Sequence, residues 1–422
     1  MKKIFPLVFL CLILFLSEAC AKPTWKKNIE KILESEDFKK IEASILASEV
    51  ESGKPVFSHS ENVALIPASN TKLITTVTAL NVLGPYYKFK TEVFYDGKNL
   101  YVKGYGDPLF VTERLWFLVN DLSREDLKSV HNLVLDDSYF DDQKFTEGWV
   151  QTGSERAYSA PLGALSLNFN VVAIYVRPAK LGGKPKVIVD PASPYVEVQN
   201  LAVTGKKGTF TVDRFSQDKK EIIKIQGIVP ESLKEKRIYK NIANPLYYYG
   251  SVFKTFLEER NIKVKGSIQK GIVPPQAKLI LTYESKMLRE IASALNLFSN
   301  NFIAEQIVKT MGAYKLGAPG STEKGLKVMD DFLTQKMDFK KDSYVLPEEN
   351  GTLARFDNTP FEGSLRAKTG SLNGVMSLTG FLKTTSKQVL AFSIILNSSL
   401  MPSTKLQESI DKILGELREA RI

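Results

Sequence analysis

Between Phe89 and Ile225 the chain is cut into short strand-like pieces, and these constrain the fold more than any other stretch. The runs Phe89 to Tyr95, Leu100 to Lys103, Leu133 to Leu135, Val171 to Val176, Lys186 to Val189, Val196 to Val198, Thr209 to Val212 and Ile222 to Ile225 are rich in β-branched and aromatic residues. Turn-forming stretches such as Asp96-Gly97-Lys98-Asn99 and Leu181-Gly182-Gly183-Lys184 separate them. A single helical stretch, Val111 to Leu122, interrupts the series. Short strands must find partners close by, so we read residues 88–240 as one β-rich block of domain size, with room for two subdomains.

The flanks have a different period. An amphipathic helix is expected from Trp25 to Lys40, followed by strands Ile41 to Ala47 and Pro55 to Phe57 around the turn Glu51-Ser52-Gly53-Lys54. A helix opening at Ser69 stops near Leu83-Gly84-Pro85. After Asn244-Pro245, helices are expected at Leu246 to Arg260, Ser285 to Leu297, Phe302 to Met311 and Glu323 to Leu333. Strands Leu365 to Thr369, Leu378 to Lys383 and Val389 to Leu396 follow. The last helix aligns Leu406, Ile410, Ile413, Leu414 and Leu417 on one stripe. Acidic residues among its polar positions favour packing on a core over lying on a membrane surface. The chain thus reads as a signal segment (1–21), a first part of one domain (22–87), the β-rich insertion (88–240) and the second part of the first domain (241–422).

The first residues, Met1-Lys2-Lys3, an apolar run from Ile4 to Leu16, and Ala19-Cys20-Ala21, have the form of a secretory signal cut after Ala21. The apolar run is shorter than the ~20 residues a membrane-spanning helix needs. A lipoprotein signal centred on Cys20 is the alternative, and Ser17 and Glu18 fit it poorly. The expected mature chain is therefore exported, to the periplasm or the outside of the cell envelope, with no integral membrane segment. Both cysteines, Cys11 and Cys20, fall in the removed part, which excludes disulfides and cysteine metal ligands from the remainder. Only His59 and His131 are available, and neither stands in a catalytic context. The formal net charge of +10 is scattered in pairs such as Lys206-Lys207, with no nucleic-acid motif beside it. It suits either a soluble basic surface or work against an anionic cell envelope.

Three short motifs carry chemistry. Ser69 and Lys72 stand three residues apart at the start of an apolar run, so they share one face of a helix's first turn. A serine needs a base to become a nucleophile, and a helix N-terminus adds N–H donors and positive dipole. Taken alone, the pair also reads as a helix-capping Ser with a solvated Lys. Ser299-Asn300-Asn301, between two helices, offers a hydroxyl for proton relay and an amide for a peptide carbonyl, or simply a helix cap. Lys368-Thr369-Gly370 lies in a strand. Its Lys and Thr can hold an anionic substrate end, and its Gly permits close backbone approach.

In this order, and on helix, loop and strand respectively, the motifs resemble those of the penicillin-recognising serine acyl-transferases. More narrowly, the chain resembles the D-alanyl-D-alanine carboxypeptidase/endopeptidase family, the class C low-molecular-mass penicillin-binding proteins. That likeness rests on Pro67-Ala68-Ser69 through Leu83-Gly84, Gly104 through Leu109, Asp136 through Phe140, Tyr158 through Pro161 with Ala164-Leu165-Ser166, and Gly351-Thr352-Leu353. Asn300 departs from the Asp that the wider superfamily often has there. The resemblance implies a mixed α/β (α+β) fold with an antiparallel sheet flanked by helices, carrying a large β-rich insertion. It implies Ser69 as nucleophile, Lys72 as base, and Ser299 as proton relay to the leaving D-Ala. Asn301 would hold the peptide, Lys368 and Thr369 the terminal carboxylate beside Gly370, and the backbone N–H groups of Ser69 and Ser371 the oxyanion. No metal or organic cofactor is required. Stem peptides of peptidoglycan are the implied substrates, and β-lactams the covalent inhibitors. Asp136 would receive the free amine of the stem peptide's diamino acid, unless Asp136-Asp137-Ser138 merely makes a turn. A β-lactamase of the same superfamily and a non-catalytic envelope scaffold or peptidoglycan sensor are the competing readings.

Overall fold

The computed structural model describes residues 22–146, 157–217, 220–337, 361 and 363–421. The expected signal segment with Cys11 and Cys20, and the motif Gly351-Thr352-Leu353, lie outside them. The chain divides into two compact units, one made of Met1–Asn70 and Asn350–Ile422, the other of Thr71–Glu349.

The first unit is built on a five-stranded antiparallel sheet in the order Leu365–Leu372, Val375–Lys383, Val389–Asn397, Glu42–Glu49, Pro55–His59. Alternation along Glu42–Glu49 sends Ala43, Ile45 and Ala47 inward. Helices Thr24–Leu33 and Ser403–Arg418 cover that face. The stripe Leu406, Ile410, Ile413, Leu414 and Leu417 is wholly buried against it, together with Trp25 and Ile29. Each such side chain contributes about 1.5–3 kcal/mol on burial, so the stripe belongs to the core. No helix among the described residues is long and apolar enough to cross a membrane. The expected helix from Trp25 to Lys40 is shorter, ending at Leu33 before a separate 3-10 turn, Phe38–Lys40.

In the second unit, helices Thr71–Val82, Leu288–Phe298, Asn301–Leu316 and Thr322–Lys336 share a core that includes Ala79, Ile291, Leu295, Ile307 and Met311. The helix Asn301–Leu316 is buried on every side from Asn301 to Ala313. A five-stranded sheet runs Ile268–Lys270, Leu133–Asp136, Leu100–Gly104, Lys88–Tyr95, Lys278–Met287. A three-stranded sheet runs Lys236–Asn241, Val171–Arg177, Lys186–Asp190, and a four-stranded one is centred on Lys220–Pro230. Two expectations are corrected here. The expected helix from Ser285 begins at Leu288, because Lys278–Met287 is a strand paired with Lys88–Tyr95. That pairing also carries the β-rich block past its expected end at residue 240, as far as Met287.

Three of the quoted motifs are knotted together in this unit. Gly106 has φ +82°, and a Cβ there would overlap the Phe140 ring and stand 2.9 Å from Thr310 Oγ1. Its N–H donates to Ala164 O at 2.9 Å, and Leu165 N donates to Asp137 Oδ1 at 2.8 Å. Next to this knot, burial pushes the Asp107 carboxyl up to about 7, against the pull of the Leu109 amide and Arg114. A carboxyl raised in this way stabilises the fold below its unfolded pKa, and that stability is lost as pH rises through 7. Asp107→Asn should therefore match the wild type in urea unfolding near pH 4. Above pH 7 it should be more stable, by no more than about 4 kcal/mol. An identical difference at both pH values would show that the carboxylate is not what the site disfavours.

Candidate active site

Ser69 lies in a one-turn 3-10 helix, Ala68–Asn70, which leads directly into the helix Thr71–Val82. Ala68 has φ 46°, a left-handed conformation unusual for a residue with a Cβ. The turn is held to the sheet of its own unit. Ser377 Oγ donates to Pro67 O at 2.6 Å, and Asn70 Nδ2 donates to Thr379 Oγ1 at 2.9 Å. Thr379 Oγ1 in turn lies 2.9 Å from Ser393 Oγ. With its amide oriented to suit both groups, Asn397 accepts from Ile66 N at 2.9 Å and donates to Ile66 O at 3.2 Å. Ala68, Ser69 and Asn70 are all buried.

The strand Leu365–Leu372 brings Lys368, Thr369, Gly370 and Ser371 to the same place. Gly370 is opposite Ser377, and Lys368 opposite Thr379. A Cβ at position 370 would overlap Pro67 O and Ser377 Oγ and stand 2.9 Å from the Ser69 backbone nitrogen. Glycine here thus lets the serine turn seat itself on the strand, in addition to the substrate approach expected from sequence. Lys368 and Thr369 are buried, and Lys368 Nζ donates to Thr369 O at 2.7 Å. Within this unit the structure therefore joins Ser69 with Lys368, Thr369, Gly370 and Ser371. It adds Asn70, Ser377 and Thr379, which the sequence did not mark.

The second unit carries Lys72, Ser299 and Asn301. Lys72 is the second residue of its helix and only 1% exposed. That helix is tied to Leu288–Phe298 by Asn296 Nδ2 donating to Thr76 Oγ1 at 3.1 Å. Ser299 ends Leu288–Phe298 in a left-handed conformation, φ 51°, and Asn301 begins the next helix. The cap between them is Asn300, whose Oδ1 accepts from Ile303 N at 3.1 Å. Asn and Asp are equally good at that position, so the departure at Asn300 keeps the turn intact. Capping by Asn300 also leaves the Ser299 hydroxyl outside that role. Ser299 and Asn301 are both buried.

Asp136 takes the turn reading and not the amine-receiving one. It is 0% exposed, at the end of the strand Leu133–Asp136. Oδ1 accepts from Ser138 N at 3.0 Å and from the Ser138 hydroxyl, and Oδ2 accepts from Val273 N at 2.9 Å. Lys103 Nζ stands 3.5 Å from Oδ2. A carboxylate enclosed in this way has no face for an incoming ammonium, and the role carried over by resemblance is withdrawn. Asp137 is equally engaged, accepting from Leu165 N and from Lys144 Nζ at 2.6 Å.

Residues 25–351 and 342–417 match the model of the D-Ala-D-Ala carboxypeptidase 3 (S13) family. The chain is 27% identical to the D-alanyl-D-alanine carboxypeptidase of Actinomadura sp. (strain R39), over 93% of this chain and 84% of that one. It is 21% identical to the D-alanyl-D-alanine carboxypeptidase DacB of Haemophilus influenzae, over 83% and 84%. The crystal structure of penicillin binding protein 4 (dacB) from Haemophilus influenzae superposes with a TM-score of 0.76 at 19% identity, covering 93% of this chain and 100% of that one, so the fold is shared. With the family match reaching from the first helix to the last, the chain belongs to the D-Ala-D-Ala carboxypeptidase 3 (S13) family.

Proposed function

We propose that this protein is an exported serine D-Ala-D-Ala carboxypeptidase that trims peptidoglycan stem peptides through an acyl-enzyme, with penicillin as a covalent inhibitor. The observation that carries the site assignment is the seating of the Ser69 turn on Lys368-Thr369-Gly370, where only glycine fits. Ser69 Oγ attacks the carbonyl carbon of the penultimate D-Ala, and Lys72 takes its proton. Lys72 is buried at 1% exposure in the first turn of its helix, three residues from Ser69. The backbone N–H groups of Ser69 and Ser371 hold the oxyanion as it forms. The peptide C–N bond then breaks, and Ser299 passes the proton to the leaving D-Ala amine. Water adds to the ester, releases the shortened peptide and restores Ser69. Asn301 holds the peptide, and Lys368 with Thr369 holds the terminal carboxylate. When the leaving amine belongs to a neighbouring stem, the same steps cut a cross-link, which is DD-endopeptidase activity. The β-rich block is an insertion in the peptidase, and export through the Met1–Ala21 segment belongs to the same reading.

Three variants test it. Ser69→Ala should abolish both fluorescent-penicillin labelling and D-Ala release while circular dichroism stays unchanged; D-Ala release near the wild-type rate would remove Ser69 from the role of nucleophile. Lys368→Ala should lower kcat/KM for a peptide ending in D-Ala-D-Ala by about 10- to 100-fold, the worth of a charge-assisted hydrogen bond. For the corresponding amide it should change little, and equal losses on both substrates would rule out the carboxylate clamp. Gly370→Ala should slow acylation by about 10²–10³, the cost of misplacing one oxyanion donor. Ser371→Ala, which keeps its backbone N–H, should stay within a few-fold of wild type. Wild-type acylation in Gly370→Ala would show that the contact is dispensable.

A further inference from the structure

The sheet formed by Lys236–Asn241, Val171–Arg177 and Lys186–Asp190 has one face in the core, where Val172, Ile174 and Val176 are fully buried. Its other face lines a cavity of about 660 Å3 together with the helix Thr112–Leu122, within the ~300–1,000 Å3 range of small-molecule sites. Ala173 forms a low floor, with Tyr239 opposite it on one side and Asp190 on the other. Trp116, Phe117 and Tyr239 line the groove while remaining 41%, 51% and 48% exposed. Glu113 and Asp190 bring carboxylates to it, while Arg260 lies over the Trp116 ring and Arg237 lies over the Tyr175 ring and donates to Tyr239 Oη at 3.4 Å.

This lining selects a ligand chemistry. Exposed aromatic rings offer flat apolar faces with negative π-density, which suit the C–H face of a sugar ring. The carboxylates accept hydrogen bonds from hydroxyl and amide N–H groups, and the guanidinium groups of Arg260, over the Trp116 ring, and Arg237, over the Tyr175 ring, can donate to hydroxyl and carbonyl oxygens. A neutral amino-sugar ring bearing an N-acetyl group uses both, its C–H face against the rings and its hydroxyl and amide groups against the mixed donors and acceptors.

A second feature ties the groove to the reaction machinery of the same unit. Asn168, Phe169 and Asn170 all have left-handed backbones, with φ 51°, 58° and 55°. Such a run of non-glycine residues persists only where its surroundings impose it. Asn168 Oδ1 accepts from Thr112 N at 2.9 Å and its Nδ2 donates to Thr112 Oγ1 at 2.7 Å, while Asn170 Nδ2 donates to Pro161 O at 2.7 Å. Phe169 is thereby presented to the groove and to Phe302, which it meets edge-on at 6.1 Å between ring centroids. Phe302 directly follows Asn301.

We propose that this groove binds the glycan strand of peptidoglycan, seating N-acetylated amino sugars against Trp116 and Tyr239 while the attached stem peptide is presented for cleavage. The proposal takes the carboxypeptidase reading for the source of the sugar, and its binding test is independent of that reading. Calorimetric titration of the mature protein with a chitin trisaccharide should give measurable binding, weakened about tenfold or more in Trp116→Ala and in Tyr239→Ala. Trp116→Tyr, which keeps a ring, should recover most of it. In turnover, wild type should prefer a disaccharide-linked pentapeptide over the bare pentapeptide by about tenfold in kcat/KM. The two alanine variants should erase that preference, with bare-peptide turnover and penicillin acylation unchanged. Absence of trisaccharide binding, binding that ignores both substitutions, or equal turnover of linked and bare peptide each overturns the proposal. Displacement of the trisaccharide by a dodecyl detergent at far lower concentration would overturn it in favour of an acyl chain. If wild type binds the trisaccharide through these residues but neither releases D-Ala nor labels with penicillin, the groove stands and the carboxypeptidase reading falls.

Discussion

A Cβ at position 370 would overlap the Pro67 carbonyl and the Ser377 hydroxyl, so the strand Leu365–Leu372 can lie against the serine turn only with glycine there. Everything the first unit contributes follows from that contact. It places the Ser69 backbone nitrogen beside the strand that carries Lys368 and Thr369. Ala68, in the same turn, has a left-handed conformation, which costs on the order of 1–3 kcal/mol. The offsetting bonds are the Ser377 hydroxyl to Pro67, Asn70 to Thr379, and Asn397 to Ile66. Each contributes about 0.5–1.5 kcal/mol net, so the set is of the size needed to hold the strain. Under the proposed function, that strain would keep the Ser69 N–H aimed before substrate arrives, which is where electrostatic stabilisation of an oxyanion has its effect.

The second unit solves a different problem with the same economy of residues. Between helices Leu288–Phe298 and Asn301–Leu316 only two residues intervene, and both are polar. Ser299 turns the chain through a left-handed conformation, and Asn300 caps the helix that follows. The N-terminal cap of the second helix is thus Asn300, the middle residue of the motif. The helix it introduces is buried on all sides, so its first turn has little freedom to drift. Lys309, also on that helix and almost fully buried, ion-pairs with Asp141 and donates to Gln143 O at 2.6 Å, fixing it further.

The three motifs stood out in the sequence because the chemistry they resemble needs particular residue types at short spacing. Most strands were legible because period-two alternation survives wherever one sheet face is buried, as along Glu42–Glu49. Lys278–Met287 was not legible. Its pairing with Lys88–Tyr95 slips between Leu279 and Leu281 and again between Glu284 and Met287, so no single alternation runs along it. Asp136 misled for another reason. A carboxylate at a strand end has the same local sequence whether it closes its own turn or faces a ligand, and only the partners Ser138 and Val273 decide. The groove at Trp116 and Tyr239 joins residues more than a hundred positions apart, and no local pattern reports such a meeting. The part of Gly370 that touches Pro67 was hidden in the same way.

The closing of the β-rich block explains how so long an insertion can leave the helices around it undisturbed. Its first strand begins at Lys88, and Lys88 is the register partner of Met287, the last residue of the strand that leaves the block. Entry and exit thus stand side by side on neighbouring antiparallel strands. The seam continues beyond the sheet, since Leu288 N donates to Tyr87 O at 2.8 Å and Arg289 N to Pro85 O at 3.1 Å. A block whose ends meet adds no separation between the segments it interrupts, whatever its length. Here those segments are the helix Thr71–Val82, which carries Lys72, and the helix Leu288–Phe298, which ends on Ser299. The spacing between the two helices is therefore set by the Lys88–Met287 seam and the Thr76–Asn296 bond, and not by the two hundred residues between them. What the block binds can vary without moving these helices, because the seam and the Thr76–Asn296 bond hold their spacing.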